Sequence, residues 1–478
     1  MAAPLPPLDK IDPAWAWQPW RPAASDPWGR KWAAHLYRRA AFGAGRAELL
    51  EADRLGPEGT LDLLMNGRPG AEELREDLDD AGRVAASQGI EALRGWWLYR
   101  MLHGGHPLRE KLVLFWHNHF ATSDAKVRSP ELMLRQNVLL REYALGKFGP
   151  FLQAVSRDPA MLVWLDSNSN VKGAPNENYA RELMELFSLG VGNYTEKDVK
   201  EAARAFTGWR TERAGFRFDP SLHDDGPKTV LGRSGAWDGG DVVRIVLERP
   251  AAARFLVRKL YRYLVSENAE PPAALLEPLC ESFRRSEYDV AGLVRTMLAS
   301  RLFYSAHAFR QRVKSPVEFV LGAVQAVYLR QGEGAPGYQP LPARPLLGRL
   351  ALMGQKLFEP PNVKGWPGGR TWLNTSTVLE RDNFAEALAL GRLWAASARG
   401  EAPPALDPAR LLDEEKVTRP EDVVEALLTL HVPGGVRPEA RARLVEFVAE
   451  GNPDGAALRR RAREAFHAAL TAAEYQLA

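Results

Sequence analysis

Apolar residues recur at three- and four-residue spacing along most of the chain, and that period predicts helices. From Arg30 to about Leu145 the pattern is helical throughout. WAAHLYRRAAF, EGTLDLLMNG, GIEALRGWWLYRML and PLREKLVLFWHNHF each carry the spacing. Pro107 fits the first turn of the last of these, where a missing N–H costs nothing. The period returns from Asp241 to about Arg330, through RPAAARFLVRKLYRYLV and DVAGLVRTMLASRLF, and again after Asn374. Between Gly208 and Gly235 it breaks. GWRTERAGFRFD alternates around a central AG, which predicts a short hairpin, and the turn-rich HDDGPKTVLGRSG follows.

This pattern predicts a mainly α protein: a large multi-helix body with a small β-hairpin insertion and long Pro/Gly/Trp loops. Residues 1–30 read as a Pro/Trp-rich N-terminal arm whose Trp15, Trp17, Trp20 and Trp28 pack on the protein's own surface. Residues 31–400 read as the main helical domain, with the β-like insertion at 208–235 and a functional loop at 355–374. Residues 331–343 read as a Gly/Pro linker, and 401–478 as a C-terminal helical segment packed on the main domain. A loop as long as QKLFEPPNVKGWPGGRTWLN inside a compact chain is a common place for function.

One polar stretch stands out, LDSNSNVKGAPNENYARELMELFSLG, residues 165–190. Its second half predicts a helix. Ala180, Leu183, Met184 and Phe187 make the apolar face. Asn178, Arg181, Glu182 and Glu185 make the opposite one. Asn176 is placed to cap the helix, Glu177 sits in the dipole-favoured first turn, and Gly190 stops it. Thr195 to Asp198 then supplies a capping-box-like start for the next helix. The loop itself has the layout of an EF-hand. Counted from Asp166 as position 1, Asn168, Asn170 and Glu177 fall at positions 3, 5 and 12. The layout fails at position 6, where the sharp turn wants Gly and the chain has Val171. Three readings stand. The loop is a calcium-like oxygen site for a divalent cation, an Asx-turn cap, or a substrate-binding edge using Asn168, Asn176 and Asn178.

His117 and His119 lie two apart, so on a continuous helix they point about 200° apart and cannot share a metal. Two packing histidines are the simpler reading. His223, Asp224, Asp225 and Lys228 crowd a turn that serves either a site or solvent. Lys314 and Glu318 are spaced to pair around a helix start. Asn362, Lys364, Trp366, Arg370 and Trp372 give the late loop the groups that contact a carbohydrate or another polar ligand.

Composition narrows the class. Hydrophobic content of 45% and charged content of 26% are those of an ordinary globular chain. A net charge of +3 with no basic block argues against nucleic acid. The single cysteine, Cys280, excludes an internal disulfide and a cysteine metal cluster. No apolar run approaches the ~18 residues of a membrane span. The N-terminus lacks a basic start followed by an apolar run, so a cytoplasmic location is expected, with export open if a leader is missing. There is no GxxxxGK[ST], GxGxxG after a strand, HExxH or GxSxG.

FWHNHFATS, LDSNSNVKGAPNENYARELMELFSLGVGNYTEKDVKEAARAFTGW, HDDGPKTVLG, RVKSPVEFVLG and PPNVKGWPGGRTWLNTSTVLERDNFA stand in this order. Together they resemble the bacterial family known as domain of unknown function 1800, from about residue 31 to the C-terminal YQL. The resemblance implies no settled activity. It does imply export of many members, and a partner, because the family's genes often neighbour one for an exported, sulfatase-like protein. The expected site gathers the groups above. In a metal-assisted hydrolase of a polar or glycan-like substrate, Glu182 or Glu185 is the general base. Asp166 and Glu177 hold the cation, and Arg181 or Lys228 stabilises developing negative charge. The alternative is a non-catalytic binding or chaperone-like partner of the sulfatase-like protein.

Overall fold

The helical period becomes helices almost wherever it is written. In the computed structural model, which describes residues 6–213, 215–327, 343–393, 408–409, 412 and 417–478, 62% of the chain is helical. The strands among the described residues form two two-stranded antiparallel sheets, so the protein is mainly α. Of the elements that frame the site, α1 is Arg30–Ala40, α2 Ile90–His103 and α3 Pro107–His119. α4 is Asn178–Glu182, α5 Glu196–Ala205 and α6 Pro250–Leu264. α7 is Pro316–Val327, α8 Thr375–Ala389 and α9 Gly455–Thr471. The hairpin expected around AG is β1, Trp209–Glu212, paired with β2, Gly215–Phe218. The turn-rich stretch after it adds β3, Lys228–Val230, and β4, Arg233–Gly235. The linker expected at 331–343 lies outside the described residues except for Ala343, and so does 401–407.

α3 runs through the middle of the molecule. Every side chain from Leu108 to His119 is buried except those of Arg109 and Asn118. A helix buried all round must pair whatever charge it carries. Glu110 accepts from Arg100 (3.1 Å) and from Arg141 Nη2 (2.9 Å), and the two guanidiniums hold its carboxyl down to about 2 despite burial. Lys111 donates to Glu318 and to the Arg38 carbonyl (3.2 Å). Glu318 also caps its own helix α7, accepting from Ser315 N at 2.8 Å. The pairing expected between Lys314 and Glu318 is absent. Glu318 points inward to Lys111 and Arg312, and the Lys314 ammonium lies 3.3 Å over the Tyr475 ring.

Three of the four tryptophans at residues 1–30 pack on the body, and Trp15 stays exposed. Trp17 Nε1 donates to Leu275 O (2.7 Å), Trp28 Nε1 to Ala52 O (2.9 Å), and Trp20 stacks on Tyr304 with centroids 4.5 Å apart. One apolar core runs from Ala16 of the arm to Tyr475 near the C-terminus. α9 closes it by packing along α8. Cys280 is buried, and burial pushes its thiol up to about 12, so it is an inert core residue. Among the described residues no helix is long and apolar enough to cross a membrane.

Candidate functional site

The stretch from Asp166 to Gly190 folds around its own amides. Asp166 takes a left-handed turn (φ 57°) and its Oδ2 accepts from Lys126 Nζ at 2.8 Å. Asn168 Oδ1 accepts from the backbone of Thr211 in β1 (2.8 Å). Asn170 is buried, and its Nδ2 donates to Ala203 O (2.9 Å) while its Oδ1 accepts from Asn176 N (2.9 Å). Glu177 pairs with Arg181 (3.0 Å), which reaches on to Glu196 (2.7 Å). The four side chains counted as a cation cage therefore turn to four separate partners. The sharp turn falls at Gly173 (φ 83°), two positions after Val171. Among the described residues no group of three or more His, Cys, Asp or Glu is placed to hold a metal ion.

Asn176 was expected as the helix cap, but it sits one position too early. Its Oδ1 closes an Asx turn on Asn178 N (2.9 Å), and Glu177 occupies the cap position without a side-chain bond. The helix buries Tyr179, Ala180, Leu183, Met184 and Phe187 as its spacing predicts. It then widens into a π turn, Leu183–Ser188, before stopping at Gly190 (φ 79°). Glu182 and Glu185 stay half-exposed. Burial and the neighbouring Glu185 push Glu182 up, and the charge of Lys364 on the late loop pulls it back.

His223, Asp224 and Lys228 lie with α5. His223 Nδ1 bonds Thr207 O (2.9 Å). Asp224 pairs with Arg204 (2.7 Å), which holds it down to about 2. Lys228 turns back to the carbonyls of Asp224 and Gly226 (3.0 Å). These groups fasten the β insertion to α5, and none of them lines the cleft described next.

That cleft, of about 850 Å³, lies between α3, α6, the Arg310–Ser315 turn and the late loop. Its volume is that of a small-molecule site. His119, Trp366, Arg370 and Trp372 line it, as does Lys364. Asn362 does not. Its Oδ1 accepts from Lys364 N (2.8 Å) and shapes the loop. His117 points to the other side of α3, into Trp97 and Phe358, where burial pushes it down to about 3. Trp366 lies against that ring with centroids 5.7 Å apart. Glu182, Glu185, Arg181, Asn176 and Asn178 are not among the lining residues.

The pattern of motifs did not flag most of the cleft. Lys259, Arg262, Arg310 and Arg312 join Lys364 and Arg370, and among the described residues Glu267 is the one carboxylate in the lining. Arg312 is paired with Glu318 (3.1 Å) and Arg262 with Glu270 (3.2 Å), and Arg310 donates to the Pro433 and Gly435 carbonyls (2.9 and 2.7 Å). Lys364 and Arg370 are exposed and, among the described residues, in no ion pair. A signal was present in FRQRVK, where three cations fall within five positions ahead of a helix start.

Lys259 has a particular setting. The helix ending at Gly190 leaves its last carbonyls without intrahelical donors. His119 Nε2 bonds Phe187 O (3.1 Å), and Lys259 Nζ reaches Leu186 O (3.4 Å) and His119 Nδ1 (2.8 Å). A carbonyl only accepts, so Nε2 carries the imidazole proton and Nδ1 accepts from the lysine. Among the described residues no carboxylate pairs with Lys259, and desolvation pushes its amine down to about 7. The carbonyl end of the helix favours the ammonium and offsets only part of that effect.

Fold and cleft together describe a mainly α protein with a preformed, cation-lined pocket. The family model described as protein of unknown function (DUF1800) matches residues 35–477, nearly the whole chain, and the chain belongs to that family. No match is found among curated proteins or among solved structures.

Proposed function

We propose that the cleft between α3, α6 and the late loop is the ligand site, and that its ligand is a polar anion such as a phosphorylated or sulfated sugar. The observation that carries this reading is the lining: six cationic side chains against one carboxylate, with Lys364 and Arg370 free of acid partners among the described residues. A concave site lined by one sign of charge concentrates the opposite sign. Trp366, Trp372 and Tyr263 add aromatic wall, the usual companion of polar groups in a sugar site. A hydrolase reading keeps Glu182, raised by burial, as its acid–base candidate, but has less support because Glu182 does not line this cleft. Metal assistance from the 166–177 loop has less support, because its oxygens already accept hydrogen bonds.

The non-catalytic reading, a docking partner for an exported sulfatase-like protein, needs an open tryptophan face. Trp17, Trp20 and Trp28 are instead packed against the body, and of the arm's four tryptophans Trp15 alone stands exposed. Of the two compartments, the cytoplasm offers phosphorylated sugars and the exterior sulfated glycans, so a ligand panel should carry both. Calorimetric titration with a sugar phosphate, a sulfated disaccharide and a neutral disaccharide tests the proposal. An anionic member should bind, weaken with salt, and weaken about tenfold or more in a Lys364→Ala/Arg370→Ala variant. Equal binding of the neutral sugar, or no binding by any member, would overturn it.

A further inference from the structure

We propose that Lys259 is a reactive amine that captures the carbonyl group of a ligand in the cleft as an imine. The proposal rests on the reading of the cleft as a ligand site and deepens it by naming a functional group the ligand carries.

The geometry comes first. Lys259 lines the cleft and is partly exposed to it. Its hydrogen-bond partners are both acceptors, His119 Nδ1 and Leu186 O, and the Phe255 ring lies 5.0 Å from the nitrogen. An uncharged amine has two N–H bonds, and those two acceptors occupy them. Among the described residues no hydrogen-bond donor stands beside the remaining lone pair. The tautomer of His119 is fixed from behind by Phe187 O, so the imidazole orients the amine without competing for its lone pair. His119 is itself buried and held well below its usual range, so it stays neutral.

Electrostatics agree with this. The titratable group in contact with Lys259 is His119 on α3. Arg262, Glu267, Arg312 and Lys364 line the same cleft. The depression of the amine to about 7 is caused by desolvation. A lysine desolvated this way is the recognised means of keeping an amine nucleophilic near neutral pH.

The step balances without an added oxidant or reductant. The Nζ lone pair forms the C–N bond to the carbonyl carbon, and one nitrogen proton passes to the carbonyl oxygen. The carbinolamine then loses that hydroxyl with the second nitrogen proton as water, leaving C=N. The cationic lining selects carbonyl compounds that also carry an anionic group.

The experiment is reductive trapping on the full chain. The protein is incubated with cyanoborohydride and either glyoxylate, a small anionic aldehyde, or propanal, a neutral one. The modified lysines are mapped by peptide mass spectrometry from pH 6 to 10. Lys259 should be the first lysine labelled at pH 7, at least about tenfold ahead of surface lysines, whose amines are free only near 10.4. Its labelling should have a midpoint near pH 7, and glyoxylate should outrun propanal at this position only. Labelling of Lys259 at or below the surface rate with both aldehydes would overturn the proposal. Fast labelling by both aldehydes alike would keep the amine and sink the anion preference of the cleft. A Lys259→Arg variant should lose the fast label while keeping the wild-type thermal midpoint. Persistence of the fast label in that variant would assign it elsewhere and also overturn the proposal.

Discussion

Asn118 holds Trp366 by both of its backbone polar groups: the Oδ1 accepts from Trp366 N at 2.6 Å and the Nδ2 donates to Trp366 O at 3.3 Å. This clamp joins the FWHNHF segment of α3 to the GWPGG loop and sets the wall of the cleft. It also explains Gly365. A Cβ there would stand 2.6 Å from the Asn118 carbonyl oxygen and closer still to Oδ1, on a backbone at φ 78°. Asn118→Leu should therefore cost ~1–3 kcal/mol, the penalty for stranding two half-buried backbone groups. Gly365→Ala should cost at least as much, through strain and overlap. Both should weaken anion binding in the calorimetric assay. A loop anchored elsewhere would leave binding unchanged in Asn118→Leu.

Glu318 is the carboxylate on which Lys111 and Arg312 converge in the interior. Glu318→Gln leaves two buried cations short of a partner, and a loss of ~3–5 kcal/mol is expected from denaturant unfolding. Lys314→Met should behave differently. Its ammonium lies over a ring and has no ion pair among the described residues, so an apolar replacement should change stability by less than ~1 kcal/mol or raise it. If both variants were equally damaging, Lys314 and Glu318 would be acting as the pair their spacing suggests.

That contrast shows what the sequence discloses and what it hides. Period and turn chemistry carried the mainly α class, the hairpin around AG and the Thr195–Asp198 cap, because these are set by near neighbours. The partner of Glu318 was hidden, because Lys111 lies 207 positions away and local spacing offered Lys314 instead. The cap was misplaced by one residue because Asn176 closes an Asx turn just before the helix, a competing use of the same side chain. The π turn left no mark in the apolar spacing. The cleft was legible along the late loop and at His119, and in the unused cation run FRQRVK. Lys259 and Arg262 carried no such signal, and only the placing of α6 beside α3 brings them to the cleft.

Acid should unfold the protein in two stages. Burial depresses His117 and His431 to about 3 and His106 to about 4. A histidine whose folded value lies below the unfolded ~6.5 contributes stability that is full above 6.5 and is lost as pH falls toward its folded value. Glu110, held near 2 in the fold, adds a second loss that begins near its unfolded ~4.3 and runs down toward 2. Urea midpoints should fall from pH 6.5 downward and steepen below about 4.3. His117→Phe keeps the aromatic packing and removes one orphaned ring nitrogen, so it should match wild type at pH 7.5 and outlast it at pH 4.5. Parallel pH profiles for the two proteins would show that His117 stays solvated in the native state.

The 166–177 loop should behave as a folded cap. Asn170 is its centre, tying the Ala203 carbonyl to the Asn176 amide, and Asn170→Ala should cost ~1–3 kcal/mol by stranding both. Glu177 lies at the surface in a pair with Arg181, so Glu177→Gln should cost ~1 kcal/mol or less. A calcium ion entering the loop would have to displace hydrogen bonds from Lys126, Thr211, Asn176 and Arg181 together. Millimolar calcium should therefore leave the thermal midpoint of wild type where it is. A calcium-dependent rise that disappears in Glu177→Gln would show that the loop rearranges into an oxygen cage. The acid–base chemistry of Glu182 would then have its metal, and the polar loop rather than the cationic cleft would be the place to look for substrate.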